Sequence, residues 1–226
     1  MEIELITTGT ELLLGRVLNT HQQWIGQRLA DSGYTLSRQV TVPDTGQAIR
    51  EAVQTALGRA RLVITTGGLG PTSDDITRGL IADLLARPVG RDESIVSHIE
   101  SFFARRNRPI PESVLVQAQV PKGAVVIPNE HGTAPGLAIE VSPNTFHETG
   151  IPAWLLMLPG PPRELRPMVE DRALPFIKKH LSLEQSFHCR TLRSLGIGES
   201  MVEEVLLGQL KPLMDRGLDL GFCART

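Results

Sequence analysis

Apolar positions in the first 85 residues follow two alternating patterns. Short continuous apolar runs at residues 3–7, 34–42 and 62–66 predict β-strands. Between them, residues 19–33 carry apolar side chains at helical spacing, and Ile49, Val53 and Leu57 recur every four residues. A βαβαβ order of this kind favours a mostly parallel sheet with right-handed crossovers, which places the chain in the α/β class.

The same patterns continue to about residue 181. Helices are predicted at residues 76–85, 92–106 and 163–181, and short strands at residues 124–127, 136–141 and 154–158. A new series begins near residue 186, with a predicted strand at 187–195, a helix at 199–210 and a strand at 218–222. We therefore expect a main domain over residues 1–180 and a small α+β segment over residues 181–226, which is too short to hold a core alone.

Charge and hydropathy narrow the classes of partner. The 226 residues carry a formal net charge of −2, and no run of Lys or Arg exceeds two, so no nucleic-acid partner is expected and any nucleotide ligand should be small. The apolar runs are too short to cross a bilayer, and the N-terminus lacks the pattern of a signal peptide, so we expect a cytoplasmic protein without a membrane partner. The two cysteines lack CxxC spacing.

The stretch TTGGLGPTSDDITRG at residues 65–79 is the first candidate site. It follows an apolar strand, and ligands of open α/β sheets bind at the carboxyl ends of strands. Glycines allow a ligand to approach the backbone, and the first N–H groups of the next helix attract anions. These features predict a phosphate-binding loop whose members are Gly67, Gly68, Gly70, Thr72 and Ser73.

Asp74 and Asp75 follow this loop and admit two interpretations. Thr72, Ser73 or Asp74 could cap the next helix, and acids are favoured in a first helical turn without any function. Alternatively, the two carboxylates could hold Mg²⁺, which usually binds one or two carboxylates together with substrate phosphates. Two adjacent acids beside three glycines favour the metal. The loop lacks the Lys of a P-loop and the third glycine of the dinucleotide fingerprint.

Other candidate residues lie after further predicted strands. Glu11 could bind a metal or a ribose hydroxyl, and Asp44 could bind the same metal, although each could equally be a helix cap or a turn acid. A second loop offers Asn129, Gly132 and Thr133 to a base or ribose, or is a plain connection. The remaining candidates are Gly160 and Arg163 after the last strand, His131 in the second loop, and Arg78, which could simply pair with Asp74.

Five motifs give the chain a family resemblance over residues 1 to about 180. In chain order they read GTELLLG, TGGLGPTSDDITR, FFARRNRPIPE, IPNEHGTAPG and LPGPPRELRPM. Together they resemble the N-terminal domain of the CinA family of competence/damage-inducible proteins, which shares the molybdopterin-binding fold of MoaB, MogA and MoeA. The resemblance implies a three-layer αβα fold that assembles as a homo-oligomer, either a dimer or a trimer.

For function, the resemblance implies a pyrophosphatase that hydrolyses ADP-ribose to AMP and ribose 5-phosphate with Mg²⁺, Mn²⁺ or Co²⁺. Asp75 and Asp74 would be catalytic and would hold the metal with Glu11 and Asp44. Two alternatives remain open, a molybdopterin-binding or adenylyl-transferring protein and a non-catalytic assembly module. Residues 181–226 resemble the start of the family's KH-like middle domain but lack GxxG, and no part of the chain resembles the nicotinamide-mononucleotide deamidase domain.

Overall fold

The computed structural model describes residues 2–183, 188 and 190–222, and both cysteines lie outside these ranges. The chain divides into two compact units, Met1–Cys189 and Arg190–Thr226. The first unit contains every strand found in the described residues. Within residues 190–222, the described part of the second unit, there is one helix.

The elements of the first unit alternate as the sequence patterns predict up to α4. They are β1 (Ile3–Thr8), α1 (Thr10–Leu13), α2 (Thr20–Asp31), β2 (Arg38–Val42), α3 (Gly46–Leu57), β3 (Leu62–Thr66), α4 (Thr77–Leu84), β4 (Val89–Arg91) and α5 (Glu93–Ala104). After a 3₁₀ helix (Glu112–Ala118) come β5 (Gln119–Pro121), β6 (Val125–Ile127), β7 (Gly136–Val141), β8 (Ala153–Leu158), α6 (Pro162–Met168) and α7 (Leu174–His180).

Six strands form the main sheet in the order β2-β1-β3-β8-β7-β6. The first four strands are parallel, while β7 and β6 are antiparallel to their neighbours. The mostly parallel sheet predicted from the sequence is thus confirmed. Because β1, β2, β3 and β8 run in the same direction, their carboxyl ends meet at one edge of the sheet.

Two hydrophobic clusters cover the two faces of this sheet. Successive residues of a strand point to opposite faces, so Leu5 belongs to one cluster and Ile6 to the other. Leu5 packs with apolar residues of α2, α6 and α7, and Ile6 packs with those of α3 and α4. These helix layers confirm the three-layer arrangement. A third cluster joins α5 to the 3₁₀ helix beside the two-stranded β4-β5 sheet.

Some boundaries differ from the prediction. The second strand begins at Arg38 rather than at residue 34, because the buried Tyr34 lies before the strand and its hydroxyl donates to the carbonyl of Leu181 at 2.9 Å. The helix predicted at 163–181 is one helical region interrupted by a π-helical segment at Val169–Ala173. An internal proline, Pro167, lies just before this segment.

The predicted α+β character of the C-terminal segment is not seen in the described residues. The second unit contains α8 (Glu199–Met214), which confirms the predicted helix. Residues 190–195 and 218–222 form no strand; residues 187 and 189 of the first predicted strand lie outside the described part. A strand needs a hydrogen-bonded neighbour, which an apolar run alone does not supply. No helix in the described ranges is long and apolar enough to span a membrane.

Candidate functional site

The loops that follow β1, β2, β3 and β8 come together at the carboxyl edge of the sheet. The amide of Gly9 after β1 donates to the carbonyl of Val42 in β2 at 3.1 Å. The amide of Gly67 after β3 donates to the carbonyl of Leu158 in β8 at 3.0 Å, and Gly160 lies against Gly67. Four segments that are far apart in the sequence therefore form one surface.

The glycine loop, residues 67–76, has a backbone that other residues could not adopt without strain. Gly67 and Gly68 have φ angles of +100° and +69°. A side chain on Gly68 would also overlap the hydroxyl of Thr77, and one on Gly67 would lie 2.6 Å from that of Thr8. The loop is therefore pressed closely onto its neighbours. Phosphate binding there, by the glycines or by Thr72 and Ser73, stays a prediction.

The helix-capping interpretation of this loop is wrong. Helix α4 begins at Thr77, its N-cap position is Ile76, and no side chain caps it. Instead, Asp75 Oδ2 accepts hydrogen bonds from the amide (2.9 Å) and the hydroxyl (2.5 Å) of Thr72. Asp74 is exposed, and its carboxylate has no hydrogen bond or ion pair with the described residues. The Asp75 carboxylate therefore closes the loop, whereas the Asp74 carboxylate is exposed and unpaired among the described residues.

The positive charge of Arg78 interacts with the carboxylate of Asp75, a role that was not predicted from the sequence. The predicted pairing with Asp74 is not formed, because the helix starts later and the Arg78 side chain turns inward. It is 5% exposed and donates to the carbonyl of Leu69 at 3.3 Å. Burial lowers the pKa of Arg78, and the charge of Asp75 acts in the opposite direction. The three-residue spacing between Asp75 and Arg78 was the available sequence signal.

Asp44 ties two loops together. Its Oδ2 accepts from the amide of Thr10 at 2.8 Å, while the Thr10 hydroxyl accepts from the amide of Asp44 at 3.2 Å. Glu11, one residue further, is exposed on α1. This reciprocal bonding gives Asp44 the role of a turn acid, which the sequence left open beside metal binding.

The predicted metal ligands could hold a metal ion only together with ligands from substrate and water. Across the described ranges, no group of three or more His, Cys, Asp or Glu side chains could hold a metal ion. The four predicted ligands therefore do not form a metal cage made of protein alone. Mg²⁺ commonly needs only one or two carboxylates when substrate phosphates and water complete its shell. Asp74 and Asp75 beside the glycine loop fit a site of that kind.

A pocket of about 280 Å³, which we call the polar pocket, adjoins the glycine loop. Thr7 at the end of β1 and Thr66 at the end of β3 line it, and they are 2% and 1% exposed. The hydroxyls of both threonines and Nδ1 of His21 are buried without a hydrogen-bond partner. Three residues that line this pocket, from three elements, thus each carry a buried polar atom without a partner, although buried polar groups are nearly always paired.

The contact made by Nε2 of His21 determines which ring nitrogen carries the proton. Nε2 lies 2.6 Å from the carbonyl oxygen of Gly160, and a carbonyl only accepts, so Nε2 carries the hydrogen. Burial lowers the pKa of His21; the bond to Gly160 opposes this effect, and the charge of Arg166 adds to it. The ring is therefore neutral at pH 7, with Nδ1 as a bare acceptor. His21, Thr7 and Thr66 were not predicted as site residues, since no metal or catalytic motif includes them.

The remaining wall of the polar pocket combines apolar side chains, one carboxylate and the uncharged polar residues Thr8, Asn19 and Thr20. Leu12, Val17 and Leu18 contribute apolar surface, and Glu11 contributes a carboxylate. No Lys or Arg lines the pocket within the part of the chain that the structure describes. Of the predicted site residues, the pocket thus includes Glu11 and Gly160.

The second predicted loop is held by its own hydrogen bonds. We call residues 128–135 the Asn129 loop. The buried Asn129 side chain donates to Ala134 at 2.8 Å and to Glu164 at 2.9 Å, and its oxygen accepts from the amide of His131 at 3.0 Å. Both amide hydrogens are used, which leaves one lone pair for a ligand. Substrate binding by Asn129 and Thr133 stays a prediction.

Helix α6 and helix α5 brace this loop from outside. The Glu164 carboxylate is 7% exposed and packs so closely on Gly132 that a side chain there would overlap it. His98 Nε2 lies 2.9 Å from the carbonyl of Gly132. Arg163 is exposed, and its nearest ionic partner is Glu164 at 3.7 Å. Gly132 therefore has a packing reason to be glycine.

Comparisons with known proteins agree with this architecture. Residues 4–179 match the family described as "Probable molybdopterin binding domain". A CinA-like protein of Akkermansia muciniphila is 44% identical over 226 residues, which is 100% of this chain and 52% of that protein. The chain thus spans about half the length of this relative.

Two solved structures are also similar to this chain. The protein CinA of Thermoplasma acidophilum, described as having unknown function, has a TM-score of 0.66 and 31% identity, and covers 76% of this chain and 97% of its own. A molybdopterin biosynthesis protein of Mycobacterium abscessus has a TM-score of 0.50 at 20% identity over 81% of this chain and 98% of its own, which supports the fold alone. The predicted family resemblance is confirmed.

Proposed function

Because this chain belongs to the CinA family, we propose that it is a divalent-metal-dependent nucleotide pyrophosphatase that hydrolyses ADP-ribose to AMP and ribose 5-phosphate. The observation that carries the proposal is the position of Asp74 and Asp75 beside a glycine loop that adjoins the polar pocket. A diphosphate-linked ligand needs both the glycine loop, for its charged phosphates, and the polar pocket, for an uncharged end.

Each part of the glycine loop has a distinct task in this proposal. The backbone amides of Gly68, Gly70 and Ser73 bind phosphate oxygens, whereas those of Gly67 and Thr72 are already bonded to Leu158 and Asp75. Asp74 and Asp75 hold Mg²⁺, Mn²⁺ or Co²⁺, which when bound polarises a phosphoryl oxygen and generates a nucleophilic water. Thr72 fixes the orientation of the Asp75 carboxylate through its amide and hydroxyl. The buried guanidinium of Arg78 offsets part of the negative charge of Asp75.

Molybdopterin binding is the second candidate function. The matched family is described by that ligand, and the apolar wall of the polar pocket, Leu12, Val17 and Leu18, could contact a flat ring. This candidate predicts tight binding of a pterin and no release of AMP from ADP-ribose. The two functions therefore differ in an observable product.

The test measures AMP release from ADP-ribose by the purified chain with Mg²⁺, Mn²⁺, Co²⁺ or EDTA. We expect turnover only with metal, and Asp75→Asn should lower kcat by roughly 100-fold, the loss typical of removing one electrostatic group from a reaction centre. The Asn oxygen can still accept from Thr72, so the midpoint of thermal unfolding should change little. Asp83→Asn is the matched control, because Asp83 is exposed on α4 and its carboxylate has no hydrogen bond or ion pair with the residues that the structure describes.

Metal-independent turnover, or an Asp75→Asn variant as active as the Asp83→Asn control, would contradict the proposal. Absence of turnover with all three metals, together with pterin binding in a thermal-shift measurement, would select the second candidate. Absence of both would leave the assembly function as the remaining alternative.

A further inference from the structure

The unpaired atoms of the polar pocket specify the chemistry of what it binds. A buried polar group without a partner costs about 1–3 kcal/mol, so three of them in one pocket indicate groups that a ligand completes. Thr7 and Thr66 sit at the ends of two adjacent strands, and each hydroxyl can donate or accept. They fix where the ligand lies but not which polar groups it carries.

His21 specifies which kind of polar group the ligand must present. Its Nε2 hydrogen is used by Gly160, so Nδ1 can only accept, and the ligand must present a hydrogen-bond donor to it. Glu11 is also an acceptor when ionised, and no cation lines the pocket among the residues that the structure describes. A fully ionised phosphate has no hydrogen to donate and would be repelled. A neutral group with several hydroxyls satisfies every one of these atoms.

We propose that the polar pocket is a ribose subsite in which a sugar hydroxyl donates to Nδ1 of His21, while the Thr7 and Thr66 hydroxyls bind its neighbours. His21 is then the residue that distinguishes a ribose from a deoxyribose. Thr66 directly precedes Gly67, and Gly160 lies against Gly67, so the sugar sits next to the phosphates on the glycine loop. This inference rests on the proposed function and names which part of its substrate the pocket holds.

Two variants separate the two nitrogens of His21. In His21→Gln the side-chain amide can replace the Nε2 donor to Gly160, but no acceptor remains at the Nδ1 position. In His21→Asn the shorter amide can supply an acceptor near Nδ1, but it loses Gly160. Thr66→Val is a third, independent variant, since it keeps the side-chain shape and removes one hydroxyl. Any purely structural effect of position 21 should appear in both of its variants.

The experiment is calorimetric titration of the full chain with matched probes. The probes are AMP and ribose 5-phosphate, each with its 2′-deoxy and 3′-deoxy counterparts, and inorganic phosphate for the glycine loop. We expect at least one deoxy probe to bind wild type about tenfold more weakly than its ribose form, as for loss of one hydrogen bond to a buried group. The ratio of the dissociation constant of the deoxy probe to that of its ribose form should fall below twofold in His21→Gln and Thr66→Val and persist in His21→Asn. The affinity for inorganic phosphate should be the same in wild type and in all three variants.

Equal affinity of wild type for all ribose and deoxy forms would overturn the inference, as would an unchanged ratio in His21→Gln and Thr66→Val. Failure of every sugar probe to bind would overturn it too, because the pocket would then hold only water. The readout is separate from turnover. A ribose preference without AMP release would retain the subsite and reject the proposed hydrolysis, and metal-dependent AMP release without a ribose preference would do the reverse.

Discussion

The glycine loop and the Asn129 loop contain similar residues but differ in how their polar atoms are used. Both follow strands, both contain glycine, and the sequence predicted substrate contacts in each. At the Asn129 loop, the Asn129 amide binds Ala134 and Glu164, and the buried carboxylate fills the space above Gly132. At the glycine loop, Asp74 is free, and the adjoining polar pocket contains unpaired hydroxyls.

The difference shows what distinguishes a structural loop from a candidate binding loop. Residue type cannot decide it, because Asn, Thr and Gly serve both purposes. The deciding property is whether the buried polar atoms are already paired within the fold, since a paired group gains little from a ligand and an unpaired one gains much. The following variants test that distinction in order of expected effect.

Gly68→Ala should have the largest effect. The new methyl group would overlap the Thr77 hydroxyl at a backbone with φ of +69°, so the free energy of unfolding should fall by about 3 kcal/mol, and activity should be lost with the loop geometry. Gly79→Ala is the control, because Gly79 lies in α4 with open space around it and should gain about 0.5–1 kcal/mol. Urea unfolding measures both, and equal effects would refute the packing argument.

If the Asn129 loop is structural and does not bind substrate, Asn129→Ala should destabilise the protein without lowering the rate of hydrolysis. It removes both donors that hold Ala134 and Glu164 and leaves the buried carboxylate short of a partner, which should cost about 2 kcal/mol of unfolding free energy. Glu130→Ala, which breaks only the exposed pair with Arg172, should cost less than about 1 kcal/mol. If the two variants unfold at the same urea concentration, the Asn129 loop is not held as described.

Thr66→Val should have the smallest effect on stability and the opposite sign. The Thr66 hydroxyl is buried and unpaired, so its removal should leave the free energy of unfolding unchanged or raise it by up to about 1 kcal/mol. The neighbouring Thr65 hydroxyl instead donates to Leu156 at 3.5 Å, so Thr65→Val should lower it by about 0.5 kcal/mol. Thermal unfolding of the pair checks the signs, and a destabilised Thr66→Val would contradict the assignment of an unpaired hydroxyl.

Local patterns explain why so much of the fold could be predicted. Strands β3 and β7 match the predicted ranges residue for residue, because continuous apolar runs between turn residues specify strands covered on both faces. The glycine loop was located for the same reason. Residues 190–195 and 218–222, which were predicted as strand, form none because pairing depends on a neighbouring strand, which the local pattern does not contain.

The parts of the site that could not be predicted depend on contacts between distant residues. His21 is oriented by Gly160, which is 139 positions away, and Asn129 by Glu164, which is 35 away. Arg78 was a candidate in the sequence, but its burial and its bond to the carbonyl of Leu69 depend on how the fold packs its side chain. The sequence therefore supplied the candidate residues, and only the fold separated paired from unpaired groups.

The most direct test of the central claim compares kcat/KM for Mg²⁺-dependent hydrolysis of ADP-ribose by wild type, Thr66→Val and Asn129→Ala, corrected for the folded fraction. We expect Thr66→Val to lose about tenfold, because it removes a ligand contact while leaving the fold intact, and Asn129→Ala to stay within about twofold of wild type. Loss of activity in Asn129→Ala with full activity in Thr66→Val, or no turnover by wild type, would contradict the account.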